Sequence, residues 1–172
     1  SLLHDDILDE APTRRGEIAA HLKFNAKLAL LAGDAMFALS GEIVARSRNP
    51  RLMTIFSAAI RRAAHGQALE AARLFDPVFA PDHYTEVIAA KTAALFEASA
   101  LAGAEAAAAP QELRDAAASF GFNFGMAFQI MDDIRDFFPT SDTGKPQGGD
   151  LLQGKLTLPA FNLLEACESD NR

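Results

Sequence analysis

Apolar residues recur at three- and four-residue steps along most of this chain, and the polar positions between them fall where helices would begin, end or face outward. Leu2, Leu3 and Ile7 mark the end of a helix whose other face is acidic, and Pro12 and Gly16 break it. From Ile18 to Arg46 the stripe Leu22, Ala26, Ala29, Leu30, Gly33, Phe37 and Ile43 predicts one long helix, with Ala29 and Gly33 permitting a close neighbour. Asn49 and Pro50 start the next, read over Leu52 to Leu74. Its interior Gly66 costs about 1 kcal/mol relative to alanine, so close packing or a ligand is expected there. Phe75 to Asp82 is a loop with Pro77 and Pro81, and Asp82 is placed to cap a helix running to about Gly103. Gly103 to Pro110 is a loop or a weakly specified helix end. Gln111 to Phe138 is a helix with Phe124, Phe128 and Met131 on one stripe; Pro139 to Lys155 is loop-like. Thr157 to Cys167 restarts a helix with Pro159 in its first turn. No stretch keeps a strand's alternation, so the expected fold class is all-α, in one domain over residues 1–172.

Chemistry-bearing residues gather at two places. Asp132, Asp133 and Asp136 stand near the end of the Gln111–Phe138 helix, and Asp132 and Asp136 share one face, roughly 5 to 6 Å apart. Two bare carboxylates at that distance repel by about 3 kcal/mol at an effective dielectric near 20, so the pair calls for a counter-cation. Oxygen donors without His or Cys favour a hard ion, and few carboxylates with room for water and phosphate oxygens favour magnesium over calcium. Lys145 and Lys155, on the glycine-rich segment that follows, would then act as point charges toward a phosphate group, with Asp150 between them. The bland alternative is an acidic helix end followed by a solvated loop. It loses ground because Asp5, Asp6 and Asp9 repeat the same Asp-Asp-x-x-Asp spacing near the other end of the chain, a pattern that chance seldom produces twice. The flanking residues differ, so this is not a tandem repeat.

Several neighbours of these acids carry expectations of their own. Arg14 and Arg15 should lie close to Asp5 and Asp9, where arginine's fork matches diphosphate oxygens, unless they only neutralise the acids. Lys91, set among Ala, Leu and Phe with Thr92 beside it, should point at an anion, because buried lysine needs a partner; snorkelling to solvent is the alternative. Gln129 lies one turn before Asp133, placed to orient a carboxylate or bind a phosphate through its amide. Asp34 reads as structural and His21 as a surface or capping residue.

Composition narrows the options. A 49% hydrophobic share suffices for a core. The net charge of -7, from 16 basic and 23 acidic residues, argues against general nucleic-acid binding. The single cysteine, Cys167, excludes an internal disulfide and fits a cytoplasmic location. The most apolar window, Leu28 to Leu39, is interrupted by Asp34, so neither a run of membrane-spanning length nor stable membrane insertion is expected. No secretory signal is visible at the start, where the residues read as the middle of a helix.

On these residues the chain resembles the trans-isoprenyl diphosphate synthases, the polyprenyl synthetase family. The first aspartate-rich motif of that family resembles LLHDDILDEAPTRRG at residues 2–16; the second resembles GMAFQIMDDIRD followed by GKPQGGDLLQGKLTLP across residues 125–159. LAGD at 31–34, GQ at 66–67 and KTAALF at 91–96 fall in the family's order. The resemblance implies a helical bundle of the isoprenoid synthase type, here a fragment lacking N-terminal and C-terminal helices, with its acidic motifs facing each other across a deep cavity. It implies magnesium held by Asp5, Asp9 and Asp132, with Asp6, Asp133 and Asp136 close by. Arg14, Lys91 and Lys145 would contact an allylic diphosphate, assisted by Gln129, Thr92, Asp150 and Lys155, while Arg15 would reach isopentenyl diphosphate. The implied reaction is head-to-tail condensation to a longer linear trans-polyprenyl diphosphate, carried out by a homodimer, with Phe128 on an apolar wall that keeps water out. Ser1, small and four residues before Asp5, suggests a product of geranylgeranyl length or longer, with Phe37 an alternative floor. Other readings are a non-catalytic partner subunit of a heteromeric prenyl synthase and a class I terpene cyclase, whose second motif typically mixes Asn, Ser or Thr with acids. A plain helical interaction module would leave the duplicated acids unexplained.

Overall fold

Side-chain caps and prolines set most of the helix boundaries. The computed structural model describes residues 1–78, 80–138 and 148–170, with side chains as far as Cys167. The chain divides into two compact units, Ser1–Met53 and Thr54–Arg172.

In the first unit the Ser1 hydroxyl caps α1 (Leu2–Leu8), accepting from the His4 N–H. A short ribbon follows, in which β1 (Thr13–Arg14) pairs antiparallel with β2 (Glu17–Ile18), Thr13 opposite Ile18 and Arg14 opposite Glu17. The connecting Arg15 and Gly16 have φ of 53° and 82°, as a two-residue turn matched to strand twist requires. This ribbon was not expected, and it shortens the predicted Ile18–Arg46 helix from its start. That helix is further divided into α2 (Ala20–Lys23) and α3 (Ala26–Arg46). Asn25 is the reason: its side-chain oxygen accepts from the Leu28 N–H at 2.9 Å, a cap that favours a fresh start over continuation. Of the predicted apolar stripe, Ala29 and Gly33 are buried, whereas Leu22, Leu30 and Ile43 are exposed. α1 uses the gap at Gly33, where an added methyl would come within 2.3 Å of His4 Nε2. The same Nε2 lies 3.0 Å from the Leu30 carbonyl oxygen and 3.4 Å from the Asp34 carboxylate. His21 is half-buried in the last turn of α2, and its Nδ1 has no hydrogen-bond partner among the described residues.

α4 (Pro50–Ala71) begins on its proline, with Asn49 accepting from the Arg51 N–H, and continues into the second unit. α5 (Pro81–Ile88) also starts on proline; Ala80 holds the capping position, and Asp82 falls within the first turn instead. α5 runs directly into a π-helical turn at Ala89–Ala93 and then α6 (Ala94–Ala106), so the alanine run extends the helix beyond Gly103. α7 (Gln111–Phe137), the short α8 (Gly149–Leu152) and α9 (Leu158–Asp170) complete the unit. Small side chains dominate the interior: Ala59, Ala90, Ala93, Ala94 and Ala160 are buried with Val87 and Ile88. α7 approaches its neighbours at two glycines. A methyl at Gly125 would stand 2.6 Å from the Ala93 Cα, and one at Gly121 would stand 2.5 Å from the Phe96 carbonyl oxygen. Backbones this close gain many small dispersion contacts along their length. Phe96 completes the seam, its ring 5.3 Å from that of Phe124 and 5.2 Å from that of Phe128.

By length and composition alone, Ala26–Arg46 and the continuous Pro81–Ala106 are apolar enough to cross a membrane, which corrects the expectation that no run reaches that length. Core helices of soluble proteins pass the same test.

Candidate functional site

In the first unit, α1 places Asp5 and Asp9 a turn apart and turns Asp6 inward. Asp9 caps the helix, its N–H bonded to the Asp5 carbonyl at 2.8 Å. Asp6 is 2% exposed, and a carboxylate so buried needs a partner. Arg14 supplies it through Nε at 2.8 Å and through a terminal nitrogen, both to the same oxygen. The hydrogen bond to Asp6 is the main reason the Arg14 guanidinium is held above its ordinary pKa, with the charges of Asp5 and Asp9 adding and burial opposing. Arg14 therefore lies among the expected acids but spends these bonds on Asp6. Arg15 is exposed at the tip of the ribbon.

The second unit gathers a larger set. α7 turns Asp133 into the interior at 3% exposure. The Tyr84 hydroxyl donates to Asp133 Oδ2 at 2.6 Å, the Gln129 amide donates to Oδ1 at 2.9 Å, and the Thr92 hydroxyl donates to Gln129 Oε1 at 2.7 Å. Burial pushes the Asp133 carboxyl up, the bonds from Tyr84 and Gln129 pull it down, and the charges of Asp132 and Glu70 push it up again. Burial first, then the bond to Asp133, raises the Tyr84 phenol. Asp136 uses its oxygens on the backbone, accepting from the N–H groups of Gly149 and Asp150 at 3.1 Å each. Asp150 is pushed up to about 6, by burial first and then by Asp136, against the pull of Lys155. Asp132 faces outward and lines an open cleft of about 290 Å³ with Phe124, Ala127, Phe128, Met131 and Arg135.

Lys91 does meet an anion, and that anion is Glu70: Nζ donates to Oε2 at 2.6 Å. Lys155 Nζ stands 3.9 Å from the same oxygen, and the Gln67 amide bonds to it at 3.2 Å. The π turn that carries Lys91 and Thr92 rests on α4, where a methyl at Gly66 would come within 2.4 Å of the Lys91 backbone nitrogen. Such turns are rare and often mark functional sites. The Lys155 segment is held by Phe75, whose N–H donates to the Gly154 carbonyl at 2.8 Å and whose ring lies over the Gly154 Cα. Lys145 lies outside the described residues. Tyr84 and Glu70 are the members that sequence reasoning missed. A signal existed for each: Tyr84 is the chain's one tyrosine, seven residues before Lys91, and Glu70 lies one turn beyond Gly66.

Asp6, Asp133 and Asp136 accept hydrogen bonds from protein donors, and among the described residues no three His, Cys, Asp or Glu side chains are gathered to hold a metal ion. Asp5, Asp9 and Asp132 offer oxygen donors of the kind a hard cation takes.

Apart from the β1–β2 ribbon, the regular elements among the described residues are helices, and Asp132 stands at the head of an aromatic stripe on α7. The family model for polyprenyl synthetases matches residues 1–172, and the chain belongs to that family. Solanesyl diphosphate synthase 1, chloroplastic, of Arabidopsis thaliana is 39% identical over 166 residues, covering 96% of this chain and 41% of the relative. Heptaprenyl diphosphate synthase component 2 of Bacillus subtilis is 37% identical over 166 residues, covering 96% and 48%. A solved polyprenyl synthase from Caulobacter crescentus, complexed with calcium and isoprenyl diphosphate, aligns with a TM-score of 0.91 at 36% identity, over 96% of this chain and 51% of that one. The chain spans about half the length of the curated relatives it matches.

Proposed function

We propose that the complete protein is a chain-elongating prenyltransferase that joins isopentenyl diphosphate head-to-tail to an allylic diphosphate, giving a longer linear trans-polyprenyl diphosphate. The observation that carries this reading is the arrangement of the second unit, where Asp132 heads a cleft walled by Phe124, Phe128 and Met131. An ionic headgroup and an apolar tail both find their chemistry there. Asp5 and Asp9 in the first unit, and Asp132 in the second, are the residues that would take magnesium, which when bound supplies positive charge against the departing diphosphate. Arg14, Lys91, Lys145 and Lys155 place further positive charge on the allylic diphosphate, and Arg15 on that of isopentenyl diphosphate. Cations fixed where negative charge develops lower the barrier to breaking the carbon–oxygen bond. The double bond of isopentenyl diphosphate then attacks the allylic carbon, and the released diphosphate takes the proton. In the complete protein the aromatic wall would keep out water, which would quench the allylic cation. The calcium and isoprenyl diphosphate in the Caulobacter relative support a hard cation and a prenyl diphosphate as ligands of this fold. The names of the solanesyl and heptaprenyl relatives support a product of geranylgeranyl length or longer.

The test is product chromatography after incubating the complete protein with magnesium, an allylic diphosphate and labelled isopentenyl diphosphate. Label should appear in a longer linear diphosphate, disappear with EDTA and return with added magnesium. A cyclic hydrocarbon would instead support the terpene cyclase reading. The relative named as component 2 favours a second reading, in which this chain is one part of a two-component synthase. Turnover by the purified chain alone, as a homodimer in light scattering, would end that alternative.

A further inference from the structure

We propose that Tyr84 is a positioning residue for the acidic end of α7, acting through Asp133 and touching neither substrate nor metal; this rests on the prenyltransferase reading above. Tyr84 comes from α5, 49 positions before Asp133, yet its hydroxyl takes one oxygen of that buried carboxylate while Gln129 takes the other. The bonds continue from Gln129 to Thr92. One hydrogen-bonded row, Tyr84–Asp133–Gln129–Thr92, therefore joins α5, α7 and the π turn. Two members of the row adjoin groups that the reaction uses: Asp133 is the neighbour of Asp132, and Thr92 is the neighbour of Lys91.

The polarity of the row is fixed by its members. A carboxylate only accepts, so Gln129 must give Asp133 its amide nitrogen and leave its oxygen for the Thr92 hydroxyl. Removing the Tyr84 hydroxyl frees one oxygen of a carboxylate that is 3% exposed, at the point where the acidic motif turns from core to cleft. Groups that fix the orientation of metal ligands typically set affinity or activity by about 10- to 100-fold, and Tyr84 acts on the ligand Asp132 one link further back, through its chain neighbour Asp133. A purely architectural tyrosine would act through its ring and leave metal affinity alone.

Tyr84→Phe separates the two, since it keeps the ring and removes the donor. Manganese binding to the complete protein, followed by electron paramagnetic resonance with inorganic pyrophosphate present, reads the effect without turnover. The half-saturating manganese concentration should rise by about 10- to 100-fold. Steady-state turnover should show the same shift for magnesium, with kcat largely recovered at saturating metal and KM for isopentenyl diphosphate unchanged. Val87→Ala is the control, a packing loss at a buried position on the same helix that leaves the Tyr84 hydroxyl in place. It should lower the melting temperature and leave manganese affinity as in wild type. Wild-type manganese affinity in Tyr84→Phe overturns the proposal, as does an equal loss of affinity in Val87→Ala. Wild-type protein that binds manganese with pyrophosphate but makes no linear product sinks the prenyltransferase reading alone; wild type that binds no manganese sinks both.

Discussion

Replacing Gly66 with alanine should lower turnover about 100-fold or more, since a misplacement of about 1 Å at a reacting geometry costs that much. The added methyl would meet the Lys91 nitrogen at 2.4 Å and the Lys91 Cα and Cβ at 2.9 Å. Two of these atoms are backbone, so no rotamer change relieves the clash, and the π turn must move off α4 with Lys91 and Thr92 upon it. Overpacking of this kind typically costs about 1–3 kcal/mol of stability, which a melting curve on the same sample would register. Gly33 offers the contrast: there the methyl would meet the His4 ring, which can swing away at the cost of its contact to the Leu30 carbonyl. Wild-type turnover in folded Gly66→Ala would show that the position of the π turn does not matter to the reaction.

Asp132→Asn should abolish most activity while leaving the fold intact. The substitution keeps the shape of the side chain and removes its charge; a loss of about 4 kcal/mol of charge stabilisation corresponds to about 1000-fold in rate. Asp132 is exposed, so the stability change should stay within about 0.5 kcal/mol. Its sign should favour folding, because the Asp132 charge pushes the carboxyls of Asp133 and Asp150 upward and its removal relieves that repulsion. Asp133→Asn should behave oppositely on stability, costing about 1–3 kcal/mol, because the amide keeps one acceptor oxygen where the carboxylate offered two, and the Tyr84 hydroxyl or the Gln129 amide loses its acceptor. Turnover and chemical denaturation on the two variants give the comparison, and an active Asp132→Asn would remove Asp132 from the metal set.

The helices and the two acid sets are legible in the sequence because periodicity and spacing are local properties. The spacing of Asp132 and Asp136 says that they share a face; it does not say which acid of the triplet turns inward. That choice was made at Asp133 by Tyr84 and at Asp6 by Arg14, partners supplied by other elements. The pairing of Gln129 with Asp133 was readable, being one turn of one helix. Lys91's need for an anion was readable too, but Glu70 lies on α4, and no periodicity links it to the π turn. The break at Asn25 was hidden because its neighbours keep a helical stripe across it, while the cap acts through a single side chain. Leu30 and Ile43 show the remaining gap: an apolar stripe states a preference for burial, and neighbours decide whether it is met.

The grip of Phe75 upon Gly154 bears on the order in which the molecule assembles. Phe75 adopts φ of 61°, a left-handed backbone that costs a residue with a Cβ roughly 1–2 kcal/mol, and the grip closes a loop of about 80 residues. The α5–α7 seam forms across much shorter stretches of chain, so it should nucleate early and the closure at Gly154 should come late. Lys155, beside that closure, would arrive after the other cation facing Glu70. Amide exchange at Phe75, faster than at Ala93, would be its signature, making competence for anions the final event of maturation.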